Sequence, residues 1–513
     1  MNPSSLSQAL RRGPPRPGTP RPGARRAALP RARLAGALAL ALLAAGCANT
    51  GTLAPPAAAL TPTQAGLPTD PGLPIAAVDA RWWQAFGDPQ LDRLVDQALQ
   101  GNPNLQVAQA RLAKAQSAVG VVRANDLPQV KGDAQVNRSL YSENYIYPSP
   151  LGGSVQNTGL LQIGAGWELD FFGKNHDALQ AAVGNARAAQ AEADAARVLL
   201  AGNVARSYVQ WARLVAQRDV AERTLAQREE TLRLVQGRVA AGLDTRLELR
   251  QSEGGLPEAR QQIEALDEQI AIVRHALDAL TAQPGIAASL NAPSLAALRP
   301  MPLQAALPAD LLGRRADIAA ARWRAEAATH DVDYARKQFY PNVNLNAFVN
   351  VQSLGLDQLL KSGSLQWGVG PAISLPVFEG GRLRANLQGK AADRDAAIES
   401  YNAAVLDAVR DAADQVSSLQ SIARQQAQQR EAQAAAEGAW QIATQRYGAG
   451  LGNYLNVLAA ETAVLAQRRQ AVDLAARALD TQVALARALG GGWQAGPGPA
   501  PQAAAADVAP ARP

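Results

Sequence analysis

The sequence predicts an α+β membrane protein made of two internal repeats, each with two short strands and very long helices. The pattern of residues 91–243 returns, shifted by a little over 200 residues, as residues 310–451. Each copy holds a stretch of about 65 residues without proline, from Gly173 to Arg238 and from Gly381 to Arg446. Alternating strands joined to helices of this length suit a membrane conduit better than an ordinary enzyme.

Four segments of about ten residues alternate apolar and polar side chains with period two, as strands that cross the hydrocarbon layer do. They are residues 130–136, 161–171, 343–351 and 367–377, with Phe348 the one apolar exception on a polar face. Alternation alone also fits a soluble sandwich with one face on a core. Four strands are too few to close a barrel, and an open sheet edge is not tolerated in lipid. A spanning barrel therefore requires several chains.

The helical parts are rich in alanine, glutamine and arginine and nearly free of aromatic residues. In the second copy, small apolar residues recur at intervals of three and four, which predicts a coiled-coil seam that lets helices approach closely. The seam comprises Ile398, Tyr401, Val405, Ala408, Ala412, Val416 and Leu419. A helix of about 65 residues runs roughly 100 Å. Such helices must project from the barrel.

The ends of the chain predict secretion and a lipid anchor. Residues 1–46 hold eight arginines and no acidic residue, and the arginines are followed by a short apolar run that ends just before Gly46-Cys47, as in a signal peptide. The sequence Leu43-Ala44-Ala45-Gly46-Cys47 resembles a bacterial lipoprotein signal, in which the cysteine thiol is lipidated; a buried free cysteine is the alternative. Residues 47–80 predict a flexible lipidated tether, and residues 494–513 a disordered tail.

Charge and motifs argue against nucleic-acid binding and catalysis. The net charge of +6 becomes about −2 once the eight leader arginines are removed, so the high isoelectric point does not indicate nucleic-acid binding. The histidines, His176, His275 and His330, have no metal-ligand spacing, and the chain has no GxxxxGK[ST] loop. We expect no enzyme activity, no metal and no cofactor except a covalent lipid, such as palmitate, on Cys47.

Short motifs follow one another along almost the whole mature chain: Trp82-Trp83, Phe86-Gly87-Asp88-Pro89, Asn102-Pro103-Asn104-Leu105, Trp167-Glu168-Leu169-Asp170-Phe171-Phe172-Gly173-Lys174, Arg314-Arg315-Ala316-Asp317-Ile318, Phe339-Tyr340-Pro341, Gly370-Pro371, Gly380-Gly381-Arg382, Arg446-Tyr447 and Leu489-Gly490-Gly491-Gly492-Trp493. In this order they resemble the TolC-type outer-membrane factor family, in particular its NodT-type efflux lipoproteins. Ala316 stands where that family usually has proline.

The resemblance implies a homotrimer in which three chains give four strands each to a twelve-stranded barrel, continuous with an α-helical coiled-coil tunnel in the periplasm. Residues 81–285 and 286–493 are then two outer-membrane-efflux repeats. It also implies a lipid-anchored channel of the outer membrane, active in multidrug resistance. This channel passively conducts small molecules from a periplasmic adaptor and a proton-driven inner-membrane transporter to the exterior.

The resemblance places helical hairpins around residues 238–249 and 446–461 at the periplasmic tip, where an adaptor docks and a constriction closes the channel. The gate and adaptor-contact candidates are Arg238, Gly242, Arg246, Glu248, Arg446, Tyr447, Gly450, Leu455, Asn456 and Ala459. Leu455 matches an apolar ring of the family, whereas Asn456 and Ala459 stand at its usual acidic positions. Glu461 is the nearest acid downstream, about 200° around the helix from Ala459.

Alternatives remain at this point. Gly450 and its neighbours are equally well explained as a structural turn that needs a positive φ. Arg246 and Glu248 are charges that could pair across neighbouring helices, although exposed pairs contribute under about 1 kcal/mol. For the whole chain, the other functions are the exit duct of a type I secretion system and a non-porous periplasmic coiled-coil adaptor. Adaptors lack the four membrane-type strands.

Overall fold

The computed structural model describes residues 52–67, 78–302 and 310–494. The helices are α1 (Pro89–Gly101), α2 (Pro103–Ala124), α3 (Lys174–Ala240), α4 (Arg246–Thr281), α5 (Ala316–Lys337), α6 (Arg382–Gly448) and α7 (Tyr454–Ala488). The strands are β1 (Gln129–Leu140), β2 (Val155–Leu169), β3 (Asn342–Leu354) and β4 (Leu365–Ser374). The predicted signal peptide, the lipidation candidate Cys47 and nearly all of the predicted tail lie outside the described residues.

The two longest helices, α3 and α6, have 67 residues each, which confirms the very long helices predicted in both copies. Each begins directly after a glycine in the left-handed region, Gly173 with φ 74° and Gly381 with φ 89°. A residue with a Cβ is strained in that conformation, so glycine allows the chain to turn sharply from strand to helix. None of the helices in the described ranges is both long and apolar enough to cross a membrane.

All four strands form one antiparallel sheet in the order β1-β2-β3-β4, and the β2–β3 pairing joins the two repeats. The register aligns Val130, Ala165, Ala347 and Val369 in one row on the apolar face. Trp367 and Val369 on this face are 72% and 66% exposed, so none of the described residues covers it. β1 and β4 each pair on one side only. The sheet therefore has two open edges and a bare apolar face.

Phe348, the apolar exception in the alternation, does lie on the polar face. It stands opposite Gly164 on β2 and Gly368 on β4. Its ring covers Gly368, since a Cβ added there would be 2.7 Å from Phe348 Cε1. Glycine at position 368 therefore makes room for the aromatic ring, and the exception does not disturb the alternation of the sheet.

Two strand ends differ from the predicted segments. Phe171 and Val377, both predicted inside strands, lie beyond the last residues of β2 and β4. Asp170 instead accepts a hydrogen bond from the backbone N–H of His176 at 2.9 Å, which turns the chain into α3. The N–H that Pro376 lacks would face β3, on the opposite side from that of Pro371 five residues earlier, so β4 cannot continue its pairing to Val377.

The coiled-coil seam predicted in α6 is buried at its centre. Val405, Ala408 and Ala412 are all 0% exposed. Small side chains at these positions let α6 approach its neighbours closely, as the spacing predicted. Ala408 and Val405 pack with Ile318 of α5, whereas Ala412 belongs to the largest core, which includes residues of α1, α3, α4 and α7.

Residues 52–67, predicted as part of a flexible tether, lie along α5 and α6. Asn402 of α6 holds their backbone from both sides: its Oδ1 accepts from the Leu60 N–H at 2.8 Å, and its Nδ2 donates to the Ala58 carbonyl at 3.0 Å. Ala65 packs beside Ile318. Residues 61–67 also bond among themselves, with the Ala65 N–H donating to the Thr61 carbonyl at 3.0 Å. The stretch thus has specific contacts with α6, and the flexibility of the tether as a whole stays a prediction.

Candidate functional site

The sequence-predicted site residues meet where α3 turns into α4 and α6 turns into α7. At the end of α3, Gly242 has φ 72°, the Leu243 N–H donates to the Arg238 carbonyl at 2.9 Å, and the Gly242 N–H donates to the Val239 carbonyl at 3.0 Å. The second turn repeats both bonds around Gly450, whose φ is 76°. This arrangement satisfies helix-end carbonyls and needs glycine at its left-handed position. Both glycines therefore have a structural role.

The next helices begin with different caps. Thr245 and Glu248 form a capping box at α4, in which the Glu248 carboxylate accepts from the Thr245 N–H at 2.9 Å. The hydrogen bond from the Thr245 hydroxyl lowers the pKa of Glu248. At α7, Asn453 Oδ1 accepts from the Asn456 N–H at 3.0 Å. Arg246 is exposed and has no ion-pair partner among the described residues, so Arg246 and Glu248 do not pair across helices within the chain.

Three side chains join the first hairpin (α3 and α4) to the second (α6 and α7). Arg238 donates to both carboxylate oxygens of Asp244, at 2.8 Å from Nε and 3.3 Å from Nη2. Its Nη1 donates to the Tyr447 carbonyl at 2.9 Å, and its guanidinium lies 4.6 Å from the centroid of the Tyr447 ring. The Tyr447 hydroxyl donates to Asp244 Oδ2. We call Arg238, Asp244 and Tyr447 the tip lock.

The tip lock is nearly closed to solvent. Tyr447 is 0% exposed, and the side chains of Arg238 and Asp244 are 11% and 10% exposed. The hydrogen bonds from Arg238, and then from Tyr447, lower the pKa of the Asp244 carboxyl. Burial, and then the hydrogen bond to Asp244, raises the pKa of the Tyr447 hydroxyl above its ordinary value of 10.0. A carboxylate, a guanidinium and a neutral phenol therefore stay together over the ordinary pH range.

Apolar side chains support the tip lock from both hairpins. Tyr447 packs with Val235 of α3 and with Tyr454 and Val457 of α7. The two tyrosine rings are 5.9 Å apart between centroids. The Tyr447 side chain is therefore held by packing as well as by hydrogen bonds, which fixes where its hydroxyl points.

One face of α7 at the tip is left uncovered by the part of the chain that the structure describes. Leu455 is 57% exposed, and Asn456 and Ala459 are exposed beside it. Arg446 also is exposed there, with its Nη2 donating to the Leu451 carbonyl at 3.3 Å. Glu461 does not belong to this face. It is 6% exposed and bonds Arg228 of α3 at 2.8 Å.

A sequence model of the family described as "Outer membrane efflux protein" matches residues 94–283 and 307–491. The chain belongs to this family. The matches fall in the two predicted repeats and confirm the resemblance to the TolC-type factors, the predicted fold class and the outer-membrane location. The protein is thus an efflux channel component and not an enzyme.

This outer membrane efflux protein is 38% identical over 363 residues to the fusaric acid resistance protein FusA of Burkholderia cepacia, covering 68% of the chain and 67% of FusA. It is 33% identical over 471 residues to the multidrug resistance outer membrane protein MdtP of Escherichia coli K12, covering 89% and 95%. Its structure is similar to that of the outer membrane protein VceC of Vibrio cholerae, with TM-score 0.76, 37% identity and coverage of 80% and 98%. The MtrE outer membrane channel of Neisseria gonorrhoeae, in its open state, gives TM-score 0.74 at 26% identity, with coverage of 86% and 98%.

Sequence reasoning missed Asp244 as a site residue of this efflux protein. A signal existed in the comparison of its two repeats. Gly452 occupies the position equivalent to Asp244, and Val239 the position equivalent to Tyr447. The acceptor therefore occurs only in the first hairpin and the hydroxyl donor only in the second, which is the pattern expected of a bond between them.

Proposed function

We propose that three copies of this protein form the outer-membrane channel of a tripartite, proton-driven efflux system. Small molecules would pass through it passively from a periplasmic adaptor and an inner-membrane transporter to the exterior. The observation that carries the proposal is a four-stranded sheet with two open edges, joined directly to two helices of 67 residues. An open edge in lipid leaves backbone groups without partners, so the edges must pair with other copies.

The width of the barrel argues against two chains and supports three. Two chains would give eight strands, whose interior is just wide enough to be filled by side chains. Three chains give twelve strands and leave a water-filled passage along the polar face. Small organic molecules as cargo are supported by the relatives, whose names refer to resistance to fusaric acid and to multiple drugs.

The experiment combines a measurement on the purified protein with a measurement on living cells. The purified full-length protein in mild detergent should have the mass of three chains and should conduct ions in planar bilayers. A strain that lacks the gene should become more sensitive to small toxic organic compounds and recover with the plasmid-borne gene. A purified protein that forms no conducting species, in a strain with unchanged sensitivity, would contradict the proposal.

We propose that the exposed ends of both turns contact the adaptor. Leu243 and Leu451 occupy equivalent positions in the two repeats and are 65% and 70% exposed. Gly242, Gly450 and Arg446 lie directly beside them. Exposed apolar side chains mark protein interaction sites. Because the same side chain is exposed at two equivalent turns of each chain, a partner with a repeated helical surface would suit both turns.

We propose a covalent lipid on Cys47 as an auxiliary anchor. The proposal is supported by the basic leader and the apolar run that precede Gly46-Cys47, as in a lipoprotein signal. Ala48, rather than aspartate, follows the cysteine and suits sorting to the outer membrane.

Cys47→Ser should abolish incorporation of radiolabelled palmitate but leave heat-resistant trimer in the outer membrane, because the sheet itself spans the bilayer. Labelling is followed by gel electrophoresis of unheated and heated membranes. Wild-type protein that incorporates no label, or a Cys47→Ser protein found only in the soluble fraction, would contradict this assignment.

We propose that Leu455 narrows the closed pore. Three Leu455 side chains near the pore axis would exclude hydrated ions, because an ion would have to lose water to pass between apolar groups. Asn456 and Ala459 add no carboxylate to attract cations. Leu455→Ala should raise closed-state conductance in planar bilayers, and Ala459→Asp should increase cation preference and block by divalent ions. The matched control is Leu247→Ala, at the equivalent position of the first repeat and 61% exposed. Equal effects of the two alanine variants would show that the constriction is not formed by α7.

A further inference from the structure

Arg228 of α3 connects three helices, about 15 Å along α3 from Arg238. Its Nε donates to Glu461 Oε1 on α7 at 2.8 Å. Its Nη1 donates to Glu258 Oε2 at 2.9 Å and to the Gly255 carbonyl at 2.7 Å, both on α4. The Arg228 and Glu461 side chains are 15% and 8% exposed. This nearly buried ion pair links the first hairpin to the second, separately from the tip lock.

The carbonyl that Arg228 binds lies at an intrinsically weak point of α4. Gly254 and Gly255 stand just before Pro257 in the interior of the helix. Proline has no N–H, so the Glu253 carbonyl four residues earlier has no helical donor, and the two glycines favour the helix least of the ordinary residues. At this place α4 bends more easily than a continuous helix would.

The second repeat has neither this weak point nor this bond. The residues equivalent to Arg228, Gly254, Gly255 and Pro257 are Ala436, Thr462, Ala463 and Leu465. An ion pair within each hairpin, in contrast, does recur: Arg260 with Glu229 at 3.5 Å in the first, and Arg468 with Glu437 at 3.1 Å in the second. The link through Arg228 is therefore a difference between two otherwise duplicated hairpins.

We propose that Arg228 is a latch of the closed tip, in addition to the contacts of the tip lock. While it bonds Glu461 and the Gly255 carbonyl, it holds the weak point of α4 beside α7, and the two hairpins cannot separate there until this bond breaks. The latch rests on the proposed channel function. It acts by positioning the helices, because neither the Arg228 nor the Glu461 side chain lies on the exposed face of α7 with Leu455. Removing the Arg228 charge leaves the Glu461 carboxylate nearly buried and without this counterion, and removing the Glu461 charge leaves Arg228 with the largely exposed Glu258 carboxylate in its place. Both changes disfavour the closed arrangement.

The test uses the full-length trimer in planar bilayers, with heat-resistant trimer on gels as the measure of folding. Arg228→Met and Glu461→Gln should each raise the occupancy of the open state about tenfold. The double variant should show no larger rise than the stronger single variant, because both changes remove the same bond. The matched control is Arg260→Met, which breaks only the pair within the first hairpin and should leave conductance unchanged.

Gly254→Ala tests the same latch with the opposite sign. A Cβ added at Gly254 meets open space, and alanine favours a continuous helix, so openings should become about threefold rarer. The latch is refuted if Arg228→Met and Arg260→Met give the same conductance, or if Gly254→Ala makes openings more frequent, while Leu455→Ala still raises conductance. A wild-type protein that does not conduct at all would contradict the proposed channel instead.

Discussion

Asp244→Asn should open the periplasmic tip, raising closed-state conductance by about tenfold or more in planar bilayers. Asparagine keeps the size of the side chain, but its amide NH2 replaces an acceptor oxygen. An NH2 group cannot accept hydrogen bonds, whereas Arg238 and Tyr447 both donate to Asp244. It also leaves the Arg238 charge, whose side chain is 11% exposed, without its counterion. Removing one partner of a buried ion pair costs about 3–5 kcal/mol.

Tyr447→Phe should give a smaller rise in conductance, because it removes one hydroxyl and keeps the ring that packs against Val235 and Tyr454. The matched control is Glu222→Gln, which neutralises a carboxylate in an exposed ion pair with Arg218 on the same helix as Arg238. It should not change conductance. If Asp244→Asn conducts like Glu222→Gln, the tip lock has only a structural role.

The tip lock should also set a pH window for the closed state. Because the pKa of Asp244 is lowered in the folded protein, its contribution is complete above the ordinary value of 3.8 and is lost only as pH falls through the lower folded value. Because the pKa of Tyr447 is raised, its contribution is complete below 10.0 and is lost as pH rises above that value. Conductance of the wild type should therefore stay low between these limits.

The sequence predicted the parts of the fold that depend on periodicity. Alternation with period two predicted the four strands, because it records burial on one face of a regular element. The proline-free stretches in both copies predicted α3 and α6. Phe171 and Val377 were misplaced because the strand ends depend on the Asp170–His176 hydrogen bond and on Pro376 rather than on alternation. Periodicity identifies an element better than it identifies its last residue.

The contacts between distant segments were beyond sequence reasoning. Asn402 bonds Leu60 from 342 positions away, and nothing in the Pro- and Ala-rich composition of residues 52–67 indicates this partner. Asp244 and Tyr447 are 203 positions apart. Glu461 was noted as the nearest acid downstream of Ala459, but its partner Arg228 lies on another helix. Side chains that bond across hairpins leave no local pattern, except where the two repeats differ.

A folded monomer should not be stable in the membrane, because β1 and β4 each leave one edge unpaired. Pro371 shows which backbone groups of β4 face that edge. It lies opposite Leu345 of β3, and a proline within a sheet keeps its missing N–H away from the paired strand. The N–H of Val369, two residues earlier, therefore points to the same open edge and needs an acceptor from another chain.

Val369→Pro should therefore reduce the heat-resistant trimer to less than about one tenth of the wild-type amount, since an unpaired backbone group in lipid costs several kcal/mol. Val369→Ala is the matched control: it trims the same lipid-facing side chain, keeps the N–H and should retain the trimer. The measurements are gels of unheated membranes and native mass in mild detergent. A stable inserted monomer of the wild type, or a Val369→Pro protein with as much trimer as Val369→Ala, would show that the β4 edge does not close the barrel between chains.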